Sequence, residues 1–130
     1  MRIVRFLSGG REYLGREIDR SAAHRIDGRL IDGPAGWTVT DQRLPIDKLL
    51  APFVPTDILC IGLNYREHAK ESGSGIPENP VLFIKSSNTL NNPFDPIPLP
   101  KLSNQVDYEA ELAVVIGKTA RYVPRERALD

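Results

Sequence analysis

From Arg2 to Thr40 the chain offers only short runs suited to strands, RIVRFL, EYLGREI, HRIDGRLI and GWTVT, punctuated by Gly and Asp-Gly turn signals. Pieces this short cannot bury much alone and must pair with one another, so residues 1–52 read as a small, turn-rich β module. Its ionisable residues show no recognisable spacing. His24, in SAAHRIDG, reads as a surface or turn histidine.

After LLAPFVPTD the texture changes, which places a boundary near Pro52 to Pro55 and a second region at 53–130. DILCIGL is a nearly continuous apolar run suited to a strand buried on both faces. In NYREHAKESGSG, Asn64 is placed to cap a short helix, with Glu67 returning the bond as in a capping box. Ser72 to Gly75 ends that helix in a small-residue loop. PVLFIKSS is a further strand, NNPFDPIPLPK is too rich in proline for anything but an extended connection, and VDYEAELAVVIG is the strongest strand pattern in the chain. Gly117 then begins a turn and a short helix in KTARYVPRERALD.

Composition narrows the function classes. With 130 residues, 41% of them hydrophobic, there is material for one domain with a core. The 17 basic and 17 acidic residues cancel and neither sign forms a patch, which argues against nucleic acid or an anionic membrane as partner. The apolar runs fall well short of the roughly 20 residues of a spanning helix, and MRIVRFLSGGREY lacks a signal peptide's apolar segment. A cytoplasmic protein is the expectation. The single cysteine, Cys60, cannot form an internal disulfide, and within an apolar run it reads as a buried, inert thiol rather than a nucleophile.

Two constellations carry chemistry. On a strand, Glu109 and Glu111 share a face with Cα atoms roughly 6.5 Å apart. Paired carboxylates at the entrance to a core repel unless a cation compensates, and oxygen-only donors suit Mg²⁺, Mn²⁺ or Ca²⁺. The alternative is the wet end of an ordinary strand. His68 and Glu71, three apart on the short helix, are neighbours on one face, so the carboxylate can orient the imidazole as a base toward water. A solvated surface ion pair has the same spacing. Lys85 closes VLFIK, where it either meets an anionic substrate or snorkels from a strand end. No Gly-rich phosphate loop is present.

In order, IGLNYREHAKESG, PENPVLFIKSSNTL and VDYEAELAVVIGKTARYV resemble three consecutive signatures of the fumarylacetoacetate hydrolase superfamily, from about Leu50 onward. The resemblance implies a mainly β fold with short helices (α+β): part of a mixed β roll behind the N-terminal module, usually dimeric. It implies a divalent cation on carboxylates, with Glu109 and Glu111 as two ligands and His68 with Glu71 as the water-activating pair on a lid. Lys85 faces the active site, and Asn64 and Tyr108 are structural. The third ligand it implies is an aspartate in a later segment that this sequence does not reach. Asp130 is not its equivalent.

The implied reaction is metal-dependent cleavage of a carbon-carbon bond in a β-diketo acid such as an acylpyruvate, through an enolate. Relatives implied by the same resemblance decarboxylate oxaloacetate or isomerise hydroxy-diene-dioates. The competing expectation is a non-catalytic binding or assembly module. The partners expected are a small 2-oxo acid and a second copy of the chain.

Overall fold

The computed structural model describes residues 1–129. β1 (Ile3–Ser8), β2 (Arg11–Asp19), β3 (Ala22–Gly28), β4 (Trp37–Pro45) and β5 (Lys48–Leu50) form one antiparallel sheet in the order β4-β3-β2-β1-β5. Two 3₁₀ turns, Leu30–Asp32 and Pro34–Gly36, carry the chain from β3 to β4. Each of the four runs noted in the sequence contributes a strand, although HRIDGRLI splits into the end of β3 and the first 3₁₀ turn.

Register decides which face is dry. Phe6 stands opposite Tyr13 on one side and Leu49 on the other, and Ala23 stands opposite Leu44. These residues share a face with Val4, and Val4, Phe6 and Ala23 form a buried core with Tyr13, Leu44, Ile46 and Leu49 packed against it. Gly15 is required there: a Cβ on it would lie 2.8 Å from Ala23 Cβ and 2.9 Å from both His24 O and Phe6 Cε1. His24 is a correction. It is a half-buried residue in the middle of β3, between Arg16 and Arg43 across the sheet, with a buried Nδ1 that has no hydrogen-bond partner among the described residues.

The second region is built more thinly. β6 (Ile58–Gly62) and β7 (Val81–Lys85) pair antiparallel, Cys60 opposite Phe83, as a two-stranded ribbon. The expectation that DILCIGL is buried on both faces fails, because a ribbon of two strands has no layer to cover it. Leu59 and Ile61 are exposed, as is every residue of β7, and Cys60 is only half-buried.

Residues 106–117 do not form a strand. Alternation and β-branched content favour an extended chain, and a strand also needs a ladder partner; none pairs with this segment among the described residues. Its apolar side chains are correspondingly exposed, Leu112 at 82% and Ile116 at 71%. Arg125–Arg127, where a short helix was expected, is a single 3₁₀ turn.

The proline-rich connection is fixed to the first sheet. Lys48 Nζ donates to Asp95 Oδ2 at 2.7 Å, Asn92 Nδ2 donates to the same oxygen at 2.9 Å, and the Ala51 N–H donates to Asn92 Oδ1 at 3.0 Å. The Lys48 bond first, then that of Asn92, holds the Asp95 carboxyl below its ordinary value of 3.8. A carboxyl depressed by folding stabilises the clamp above 3.8, and that contribution is lost as pH falls below this value through the lower folded pKa. Limited proteolysis between residues 91 and 96 is therefore expected to hold constant from neutral pH to about pH 5, and to accelerate well below 3.8. Lys48→Met should accelerate it already at neutral pH.

Candidate active site

β6 delivers the chain into a tight turn at Leu63, whose φ of +52° lies in the left-handed region that a leucine adopts only at a cost. Asn64 and Tyr65 follow, and α1 spans Arg66–Glu71. The capping box predicted for Asn64 and Glu67 is not formed. Tyr65 occupies the N-cap in extended conformation with no side-chain cap, and Glu67 pairs with Lys70 at 2.7 Å. Starting the helix after Tyr65 leaves Asn64 in a cleft of about 250 Å³ that Leu63, Ile76 and Pro77 also line.

The helix ends in a Schellman arrangement: the Gly73 N–H donates to Lys70 O at 3.1 Å and the Ser74 N–H to Ala69 O at 2.9 Å, with Gly73 at φ +67°. SGSG thus supplies the one residue type that closes this helix without strain. Within α1 only Ala69 is buried; His68 and Glu71 are exposed. They stand one turn apart, and among the described residues no hydrogen bond or ion pair joins them.

Lys85 ends β7 opposite Ile58, exposed, with Nζ 5.9 Å from the centroid of the Phe83 ring. It has no carboxylate partner among the described residues. Glu109 and Glu111 are likewise exposed and unpaired, and Tyr108, expected to be structural, is exposed beside them. The link between this segment and α1 is a backbone bond: the Leu112 N–H donates to Tyr65 Oη at 2.9 Å, across 47 positions of sequence. This links the residue after Glu111 to the side chain of the N-cap residue of the helix that carries His68. Sequence reasoning passed over Tyr65; the available signal was a phenol directly before the candidate helix.

Two carboxylates fit a hard dication in kind and not in number. Among the described residues no group of three or more His, Cys, Asp or Glu side chains converges on one point, and Asp130 lies outside those residues. A larger groove of about 600 Å³ lies against the first sheet, lined by Arg5, Glu12, Arg25, Phe53 and Val54 among others, and holds none of the candidate residues. Its three arginines are already engaged, Arg5 with Glu12 at 2.6 Å, Arg25 with Asp27 at 2.5 Å and, more loosely, Arg29 with Asp32 at 3.8 Å.

Residues 57–130, more than half the chain, match the family described as "Fumarylacetoacetate (FAA) hydrolase C-terminal". The chain belongs to the fumarylacetoacetate hydrolase family. Residues 1–52 match "Rv2993c-like, N-terminal". A fumarylacetoacetate hydrolase domain-containing protein 2 homolog of Dictyostelium discoideum is 47% identical over 71% of this chain and 31% of its own length. An uncharacterised protein of Archaeoglobus fulgidus is 41% identical over 97% of this chain and 46% of its own. A mitochondrial oxaloacetate tautomerase of Xenopus laevis is 45% identical over 64% of this chain and 26% of its own. The chain thus spans less than half the length of these relatives.

The described structure is mostly β with few short helices, consistent with part of this family's mixed β fold. No helix among the described residues is long and apolar enough to cross a membrane.

Proposed function

We propose that this chain contributes the catalytic helix and two metal-ligating carboxylates of an enzyme that enolises a small 2-oxo acid, interconverting the keto and enol forms of an oxaloacetate-like diacid. The observation that supports the reading is the hydrogen bond from the Leu112 N–H to the Tyr65 phenol, which links the segment carrying Glu109 and Glu111 to the N-cap residue of the helix carrying His68 and Glu71. The oxaloacetate tautomerases of Xenopus laevis and Rattus norvegicus, 45% and 44% identical over the aligned residues, favour keto-enol exchange.

The exposed His68 imidazole takes the proton from the carbon beside the keto group and delivers a proton to the oxygen of the enolate so formed, giving the enol; the reverse transfers restore the keto form. Glu71, one turn on, orients the ring when substrate draws the two together, since hydrogen bonds in a catalytic site often tighten only in the complex. Lys85 offsets the charge of a substrate carboxylate. Glu109 and Glu111 would supply two oxygen ligands to Mg²⁺ or Mn²⁺. When bound, such a cation lowers the energy of the negative charge that develops on the substrate oxygens.

A second reading is hydrolysis of an acylpyruvate-type β-diketo acid, in which His68 deprotonates a water instead. The residue types support it equally, but it requires His68 and Glu71 to act as a closed pair. In either reading we place the protein in the cytoplasm, acting as a homodimer, with residues 1–52 and 53–130 as its two regions.

The two readings part in one experiment, run on the chain alone and on the chain fused to the C-terminal part of its Archaeoglobus fulgidus relative. Ultraviolet absorbance follows both the decay of oxaloacetate enol and the cleavage of an acylpyruvate, with Mg²⁺ present. Accelerated enol decay supports the tautomerase, cleavage supports the hydrolase, and neither in the fused protein leaves the non-catalytic module.

A further inference from the structure

We infer that Tyr65 is a positioning residue: its phenol oxygen fixes the backbone of the carboxylate segment, at Leu112, against the first turn of α1. The inference rests on the reading of His68, Glu71, Glu109 and Glu111 as one site, and it assigns the part that holds the two halves of that site together.

Residues 106–117 have no ladder bond. Among the described residues their hydrogen bond to a distant part of the chain is the one from the Leu112 N–H to Tyr65 Oη, at 2.9 Å. The neighbouring Tyr108 N–H turns back on Asp107 Oδ1 instead. An amide plane is rigid, so holding the Leu112 N–H also holds the carbonyl of Glu111 in the same peptide unit. The same anchor sits three residues before His68. One bond therefore ties the backbone beside a carboxylate to the residue that caps the helix of the base.

Tyr65 suits this role for reasons visible in its own backbone. It lies at the N-cap, outside the helix, with φ −97° and ψ 123°, so its side chain projects away from the helical turn. Leu63, two residues earlier, is held at φ +52°, in the left-handed region that a leucine adopts only at a cost. The ring is 42% exposed, so packing alone does not account for it. A phenol accepts a bond several ångströms from its own Cα, where Ser or Thr at the same position falls short and Phe offers no acceptor.

The test is Tyr65→Phe in this chain, read by amide exchange and by Mn²⁺ paramagnetic broadening in NMR spectra. Exchange at the Leu112 amide should quicken roughly two- to tenfold, the factor that one net hydrogen bond supplies. The Ser74 amide, bonded within the helix end, should not change and so reports that α1 is intact. Mn²⁺, added alone, should broaden the His68 ring signals in the wild type and not in Tyr65→Phe. Leu112→Pro removes the donor from the other partner at an exposed position and should abolish the broadening in the same way. Unchanged Leu112 exchange in Tyr65→Phe, or undiminished His68 broadening in both variants, overturns the tether. A wild type that shows no Mn²⁺ broadening while Leu112 remains protected by Tyr65 sinks the metal reading and leaves the tether standing.

Discussion

Phe6→Ala is expected to destabilise the first sheet by about 3–5 kcal/mol, the usual cost of removing a buried phenylalanine. The side chain is fully buried and is the largest so buried among the described residues. Its ring lies 6.1 Å from that of Tyr13 at an interplanar angle of 35°, and its cross-strand neighbours Tyr13 and Leu49 come from the two strands that flank β1. The core around it is small: Val4 and Ala23 are its buried companions, with four partly buried residues at the edge. The gap cannot be filled by collapse, because Ala23 has nothing to extend and Gly15 presents only backbone. A loss of this size is a large share of the 5–15 kcal/mol that holds a typical domain together. Trp37, the only tryptophan, begins β4 and reports the sheet's unfolding by fluorescence in a urea titration. Leu82→Ala on the exposed ribbon is the contrast, with an expected change within about 0.5 kcal/mol. Equal losses at Phe6 and Leu82 would mean that the core is not where the register places it.

The second large effect is on turnover. In the protein fused to the Archaeoglobus fulgidus segment, His68→Asn should lower kcat by about 10²–10⁴-fold, the usual contribution of a positioned acid-base group. KM should barely move, since the imidazole is asked to carry a proton rather than to bind. Lys85→Met should show the opposite split, with KM raised and kcat nearly kept, because it offsets charge on the bound substrate. Glu71→Gln separates the two readings: a modest loss fits a Glu71 that only orients the His68 ring during proton exchange, whereas a loss as deep as that of His68→Asn fits a water-activating pair.

The sheet was legible because its signals are local. RIVRFL and EYLGREI are short runs of strand length separated by Gly9-Gly10, and Asp27-Gly28 marks the end of the next strand. Local pattern could not tell whether a strand finds a partner. VDYEAELAVVIG alternates better than any other stretch, yet it lies unpaired, and DILCIGL is apolar enough for burial but sits in a ribbon with open faces. Both failures have one cause, that burial is a property of what packs against a segment. Helix α1 was placed correctly to within two residues, and its stop at Ser72–Gly75 was readable because Gly73 alone accepts the left-handed cap. Its start was misread because Asn64 is a good cap by type, while the backbone had already turned at Leu63. The site's residues were legible only as types at a spacing; the bond from Leu112 to Tyr65 spans 47 positions and leaves no trace in either local pattern.

If the two glutamates after Asp107 and the histidine of α1 serve one reaction on a 2-oxo acid, proton exchange at C3 of deuterated oxaloacetate depends on all three. Followed by NMR in the fused protein with Mg²⁺ and corrected for the uncatalysed rate, the wild type should show catalysed loss of deuterium, and that loss should disappear in both Glu109→Gln/Glu111→Gln and His68→Asn. Exchange at the wild-type rate with both carboxylates replaced would contradict it.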